Sequence, residues 1–483
     1  MIRFSAIGHV LGLFLVGLGL TMLAPLLVAF GTPEDSMRPM AMALVITAGT
    51  GMLLWRAIPR PATDLSLREG ILMVGVVWTA ASLFGALPFL FTPHFASFTD
   101  AFFESASGLT TTGATILPRV EVLSRSVQFW RHLTHWLGGM GIVLLGVAIL
   151  PLLGLGGLHL YRAEFSGAKS EKLRPRITET AMALWRIYFA LTLAEFALLK
   201  LAGMDWFEAA CHTFSTLGTG GFSTRSESVA GFHSPLIEYI LIAFMALAGV
   251  NFTRHYLLFV DRKPRAFFGD PEVRLYGFVF VSASAVIAMT LYAEGGFGAE
   301  HSMRAALFQS ASIMTTTGFA TENFELWAPI AQAIILALMF FGGCTGSTSG
   351  GLKAARILLL WKVVSRDLRR TVTRHGVFAV RLGEEVVSEK TVLAFLSLVY
   401  LALFVHIASS LAVAATGVDL LTAITSVTAC MFNVGPGFGS VGPSENYSHL
   451  PVAAKWLLSG CMIAGRLEFY TALVVFHPSF WKR

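Results

Sequence analysis

Ten apolar runs of sixteen residues or more succeed one another along the chain, at 4–30, 40–55, 71–90, 127–153, 182–201, 237–260, 275–292, 330–361, 392–415 and 452–476. About 20 apolar residues suffice for an α-helix to cross the ~30 Å hydrocarbon core. The pattern therefore predicts ten transmembrane helices in an all-α, polytopic membrane protein. Composition excludes a large soluble part: 13% of the 483 residues are charged and 55% are hydrophobic, against about 25% charged in soluble chains. The first run is too long for a signal sequence and has no convincing cleavage site, so it counts as structure. Cys211, Cys344, Cys430 and Cys461 are far apart in apolar or Gly-rich stretches, a pattern that supports neither a disulfide framework nor a zinc site.

The net charge of +6 could point to nucleic acid, but its distribution points elsewhere. With the N-terminus inside, 24 of the 35 Lys and Arg residues fall in cytoplasmic segments: Arg3, the runs 56–68, 162–176, 262–274 and 353–390, and Lys482 with Arg483. The positive-inside rule then predicts both termini in the cytoplasm and no nucleic-acid partner. Contact with lipid headgroups accounts for most of these runs; Arg366, Arg369, Arg370 and Arg374 also suit a protein partner.

Between the long runs lie four apolar segments of about a dozen residues, 98–109, 206–217, 303–314 and 421–431. They are too short to cross and are expected as re-entrant helices. Their endings repeat. The first reads Glu104-Ser-Ala-Ser-Gly-Leu-Thr110-Thr-Thr-Gly113 and the third Gln309-Ser-Ala-Ser-Ile-Met-Thr315-Thr-Thr-Gly318. The second, Ser215-Thr-Leu-Gly218-Thr-Gly-Gly221, and the fourth, Phe432-Asn-Val-Gly435, are degenerate versions around one shared glycine, with successive glycines 108, 97 and 117 residues apart. This period fits units of helix, pore helix, extended loop and helix: two extra N-terminal helices in 1–60, then 61–160, 161–265, 266–375 with an interrupted last helix, and 376–483.

Irregular backbone at membrane depth is tolerated only where it is buried in protein or lines a wet cavity. Four converging loops would offer rings of carbonyl oxygens that replace the hydration shell of a monovalent cation. Glycine suits one position per loop because it accepts positive φ, and the inward C-terminal ends of the short helices favour a cation. The alternative, small residues that merely let helices pack closely, explains one glycine better than four in register.

In these motifs the chain resembles the Trk/Ktr/HKT superfamily of potassium transporters. The similarity covers nearly the whole chain and includes two N-terminal helices that the Ktr branch lacks. What the resemblance implies is K⁺ uptake through a channel-like pore in the bacterial inner membrane, a homodimer, and gating by a TrkA-like cytoplasmic nucleotide-binding subunit (NAD, ATP or ADP), with no cofactor held by this chain. The family's filter positions fall on Thr110, Thr111, Thr112 and Gly113; Gly218, Thr219, Gly220 and Gly221; Thr315, Thr316, Thr317 and Gly318; and Phe432, Asn433, Val434 and Gly435. Glycine in all four loops goes with potassium selectivity in the family. The fourth loop departs from the pattern, with Phe432, Asn433 and Val434 replacing threonines.

Inside the run 330–361 stands Gly342-Gly343-Cys344-Thr345-Gly346-Ser347-Thr348-Ser349-Gly350-Gly351. Each Gly costs up to about 1 kcal/mol relative to Ala in a helix, so the span must break there. A gating loop or a packing kink would each explain it, and the resemblance implies the gate. Arg466 is a charge in the middle of 452–476, where insertion costs at least ~2.5–3.5 kcal/mol. It is expected either to face the pore, as the resemblance implies, or to form a buried pair, with Glu468 the nearby carboxylate.

Glu104, Asn251, Arg254, His135 and His212 read as structural polar groups before ion ligands. The absence of Walker, dinucleotide-binding and HExxH sequences predicts a non-enzyme. The competing class is a secondary K⁺ transporter coupled to H⁺ or Na⁺, which would need ionisable midplane residues.

Overall fold

The computed structural model describes residues 2–32, 37–60, 65–148, 173–373, 376, 378–383 and 385–482. In chain order the helices are α1 (Phe4–Thr21), α2 (Leu23–Phe30), α3 (Arg38–Ala57), α4 (Leu67–Gly85), α5 (Leu87–Leu90), α6 (Phe98–Leu109), α7 (Arg125–Ala148) and α8 (Leu173–Leu201). Then come α9 (Trp206–Leu217), α10 (Pro235–Ala248), α11 (Phe252–Phe259), α12 (Pro264–Phe268), α13 (Pro271–Ala293), α14 (Ala299–Met314) and α15 (Pro329–Phe341). The last are α16 (Ala354–Val372), α17 (Glu389–Ala414), α18 (Leu420–Met431), α19 (Val452–Arg466), α20 (Phe469–Leu473) and α21 (Pro478–Trp481). A two-stranded antiparallel hairpin, β1 (Arg381–Leu382) with β2 (Glu385–Val386), joins α16 to α17. The protein is an all-α, multi-pass membrane protein.

Among the described residues, six helical stretches are long and apolar enough to cross a membrane: Phe4–Phe30, Arg38–Ala57, Leu67–Leu90, Glu179–Leu201, Pro271–Ala293 and Glu389–Ala414. Side chains such as Leu13, Val45, Phe278, Val281 and Tyr400 are exposed on them, as a lipid-facing surface requires. The other expected runs carry helices too, with corrections. The run 237–260 is not one straight helix: α10 and α11 meet at 103°, and Asn251 caps the new helix by accepting the Thr253 N–H at 2.8 Å. The run 330–361 splits into α15 and α16 at the glycine-rich segment, as expected. The run 452–476 also splits, at Leu467, where Glu468 turns the chain with φ +56°. Residues 149–153, and residues 162–172 of one basic run, lie outside the described residues, as does Arg374.

The four short helices α6, α9, α14 and α18 are the expected re-entrant ones. At 1.5 Å rise per residue, the twelve residues of α6, α9 and α18 reach about 18 Å and the sixteen of α14 about 24 Å, all short of the ~30 Å hydrocarbon core. Asp205 and Asp419 cap α9 and α18 through the Phe207 and Thr422 N–H groups, and Ser97 caps α6 through Asp100. Close packing on small residues also occurs, most extensively in the N-terminal pair. A β-carbon at Gly12 of α1 would stand 2.9 Å from the Gly51 carbonyl oxygen of α3, and one at Gly19 would stand 2.8 Å from the Ala48 β-carbon.

Candidate ion pathway

Each pore helix ends in the same backbone figure. Thr111, Thr219, Thr316 and Asn433 have φ of 54°, 52°, 58° and 56°, and two residues on Gly113, Gly221, Gly318 and Gly435 have φ of 81°, 77°, 85° and 98°. A non-glycine residue at positive φ is uncommon, so the same two reversals in four loops are a built feature. The intervening N–H groups turn back to the pore helix: Thr112 to Ser107, Gly220 to Ser215, Thr317 to Ser312 and Val434 to Ala429, each at 2.8 Å.

The loops close on one another. A β-carbon on Gly113 would stand 2.1 Å from the Gly220 oxygen, on Gly221 2.0 Å from Thr317, on Gly318 2.1 Å from Val434, and on Gly435 2.6 Å from Thr112. Loop one therefore abuts loop two, two abuts three, three abuts four, and four returns to one. Any side chain at these glycines would strike backbone, so the packing requires glycine as strictly as φ does.

With their N–H groups spent on the pore helices, the loop carbonyls are left over. Among the described residues, no hydrogen bond reaches the carbonyl oxygens of Thr111, Thr112, Gly113, Thr219, Gly220, Gly221, Thr316, Thr317, Gly318, Asn433 or Val434; the Gly435 oxygen accepts from the Tyr447 hydroxyl at 2.7 Å. Buried backbone acceptors are normally paired. At the first position, the Gly218 oxygen accepts from the Thr219 hydroxyl and the Phe432 oxygen from the Gly351 N–H. Thr110 and Thr112 share a hydroxyl contact of 2.8 Å, and Thr315 and Thr317 one of 2.7 Å. In the divergent fourth loop Asn433 compensates, donating to the Thr112 hydroxyl at 2.8 Å and the Met462 carbonyl at 3.1 Å. All four glycines line one cavity of about 100 Å³.

The segment 342–353 lies against the other side of the ring. Gly350 N–H donates to the Thr316 hydroxyl at 2.6 Å and Gly351 N–H to the Phe432 oxygen at 3.0 Å. Cys344 N–H reaches the Gly249 oxygen at 2.8 Å, while Phe252 N–H reaches the Gly346 oxygen at 3.1 Å, so this break and the α10–α11 bend interlock. Positive φ at Gly342, Gly346, Gly351 and Lys353 carries the chain through. Arg466, buried, donates from Nη1 to the Thr348 oxygen at 2.7 Å and from Nη2 to the Gly138 oxygen of α7 at 3.0 Å. Glu468 is not its partner. The turn after α19 carries that carboxylate to Arg356 of α16.

The remaining candidates are structural. Glu104 accepts from Arg131 Nε at 2.6 Å, with both side chains buried, and from Thr115 and Ile116 of the first loop. His212 bridges the Glu208 oxygen and the Ser223 hydroxyl, His135 stands 3.1 Å from the Ser215 hydroxyl and stacks on Phe222, and Arg254 pairs with Asp270. Three residues the sequence did not single out belong to the assembly: Arg131, Tyr447 and Glu272.

A bundle of full-length and half-length helices around a closed ring of glycine loops defines a membrane protein of the pore-loop class. The chain belongs to the TrkH family of cation transport proteins, whose sequence profile matches residues 37–483. It is 41% identical over 99% of its length, and over all of the relative's, to the Trk system potassium uptake protein TrkH of Salmonella typhimurium. To TrkG of Escherichia coli K12 it is 33% identical, covering 98% of each chain. The crystal structure of the potassium transporter TrkH from Vibrio parahaemolyticus superposes with a TM-score of 0.92 at 37% identity, covering all of both chains.

Proposed function

We propose that this chain takes up K⁺ through a selective, channel-like pore in the bacterial inner membrane, with both termini in the cytoplasm. One observation carries the reading: four loops close into a ring in which, among the described residues, eleven carbonyl oxygens lack a hydrogen-bond donor. Such oxygens stabilise a desolvated monovalent cation, and K⁺ is the ion named for the relatives above. The filter residues are the four quartets ending at Gly113, Gly221, Gly318 and Gly435. Segment 342–351 and Arg466 form the gate beneath them. We infer further that the chain is organised as two N-terminal helices and four pore-bearing units, works as a homodimer, binds no cofactor of its own, and is gated by a TrkA-like nucleotide-binding subunit on its basic inner face.

The experiment is Rb⁺ uptake into proteoliposomes holding the purified chain, with and without that subunit and ATP or ADP. Flux that competes with K⁺ but not Na⁺ and rises with the subunit and nucleotide supports the reading; flux indifferent to both removes the gating part. One observation favours a coupled carrier instead. Glu195 of α8 is a buried carboxyl beside Thr216, with no basic group paired to it among the described residues, and coupled carriers build on such midplane groups.

A further inference from the structure

The segment 342–353 is tied to the ring by neutral groups and to α19 by Arg466, but two N–H groups, one within it and one just past its end, converge on a carboxylate that no motif marks. Glu272 stands in the first turn of α13. Asp270 caps that helix, its Oδ1 accepting the Glu272 and Val273 N–H groups at 2.8 and 3.1 Å, and its Oδ2 meets Arg254 of α11 at 2.6 Å. With the helix start satisfied by its neighbour, the buried Glu272 side chain turns to the segment. Its Oε1 accepts the Thr345 N–H at 2.6 Å and the Ala355 N–H at 3.0 Å. These donors bracket the positively twisted stretch from Gly346 to Lys353. Ala355 lies in the first turn of α16, where N–H groups have no acceptor within the helix and the helix dipole favours an anion. Glu272 forms no salt bridge among the described residues, and both hydrogen bonds to its Oε1 come from backbone N–H groups.

We propose that Glu272 is a positioning residue that clasps the segment and holds it across the pathway. One carboxyl oxygen serving two donors makes the two donor positions move together. Through Asp270 and Arg254, α11 shares the same anchor. The role of the clasp in conduction rests on the pore reading given above.

Cys344, buried within the segment, reports the clasp independently of ion flux. In the full chain with Cys211, Cys430 and Cys461 replaced by Ser, labelling of Cys344 by a small methanethiosulfonate reagent should quicken about tenfold in Glu272→Ala, the loss of about one hydrogen bond. Glu272→Gln, which keeps the shape and a neutral acceptor oxygen, should give a smaller rise and carries the test if the Ala protein does not fold. Basal Rb⁺ flux should rise in the same order with preference over Na⁺ unchanged. Labelling at the parent rate in the folded variants overturns the clasp, whatever the flux. Faster labelling with no Rb⁺ flux in any form, the parent included, upholds the clasp and defeats the pore reading instead.

Discussion

Arg466 and Thr348, 118 positions apart, meet through one hydrogen bond of 2.7 Å from guanidinium to backbone carbonyl. A second bond from the same guanidinium reaches Gly138. One buried cation thus joins α7, α19 and the interrupted segment. In place of a carboxylate, two carbonyl dipoles face its terminal nitrogens, and among the described residues its Nε has no partner. A charge held by carbonyl dipoles alone can leave without abandoning an ion pair.

Arg466→Ala is expected to raise basal Rb⁺ flux about tenfold, the equivalent of one hydrogen bond to a charged group, with K⁺ preference over Na⁺ unchanged. Competition flux in proteoliposomes checks it. Flux at the parent level in a well-folded variant would mean that the arginine only packs helices.

Gly113→Ser places a β-carbon 2.1 Å from the Gly220 oxygen at φ +81°. The obstacle is backbone, so the ring itself must shift, and Na⁺ is expected to compete with K⁺ during flux. Gly17→Ala is the matched control, since nothing lies within 4 Å of its added carbon. Equal Na⁺ competition in both variants would take Gly113 out of the selective ring.

Arg131 and Glu104 are both buried and 2.6 Å apart. Removing one partner of such a pair costs about 3–5 kcal/mol, whereas replacing both is often near neutral. Arg131→Met should sharply lower the yield of monodisperse protein on size-exclusion chromatography. Adding Glu104→Gln should restore part of it.

Asn433→Ala removes the donor to Thr112 and Met462 and puts alanine at φ +56°. A loss of about 1–3 kcal/mol follows from the orphaned acceptors, read as a lower melting temperature in detergent. Val434→Thr, which adds no strain of this kind, should melt close to the parent.

How much of this was legible depended on whether the cause was local. The re-entrant helices could be read because a dozen apolar residues ending in glycine is a local signal; 98–109 and 206–217 match α6 and α9 residue for residue. The third begins earlier, at Ala299, because its first turn is polar: Arg304 pairs with Glu300 and Glu238, which a hydropathy window passes over. The bend at Gly249 and Asn251 was hidden within a continuous apolar run, since its cause is the interlock with Cys344 and Gly346 almost a hundred residues away. Glu468 looked like a partner for Arg466 on sequence proximity, yet a single positive φ sends it to Arg356. Glu272 carries no sequence motif, and its contacts with Thr345 and Ala355 appear only in the tertiary structure. Ring closure is likewise nonlocal: glycines could be counted in sequence, but not the carbonyl each one meets.

The central claim, that the carbonyl ring passes K⁺ without obligatory coupling, is tested most directly by the reversal potential of the purified chain in a lipid bilayer under a K⁺ gradient. The account predicts a potential that follows the K⁺ gradient and stays fixed when a pH or Na⁺ gradient is imposed. A shift with either gradient at constant K⁺ would contradict it.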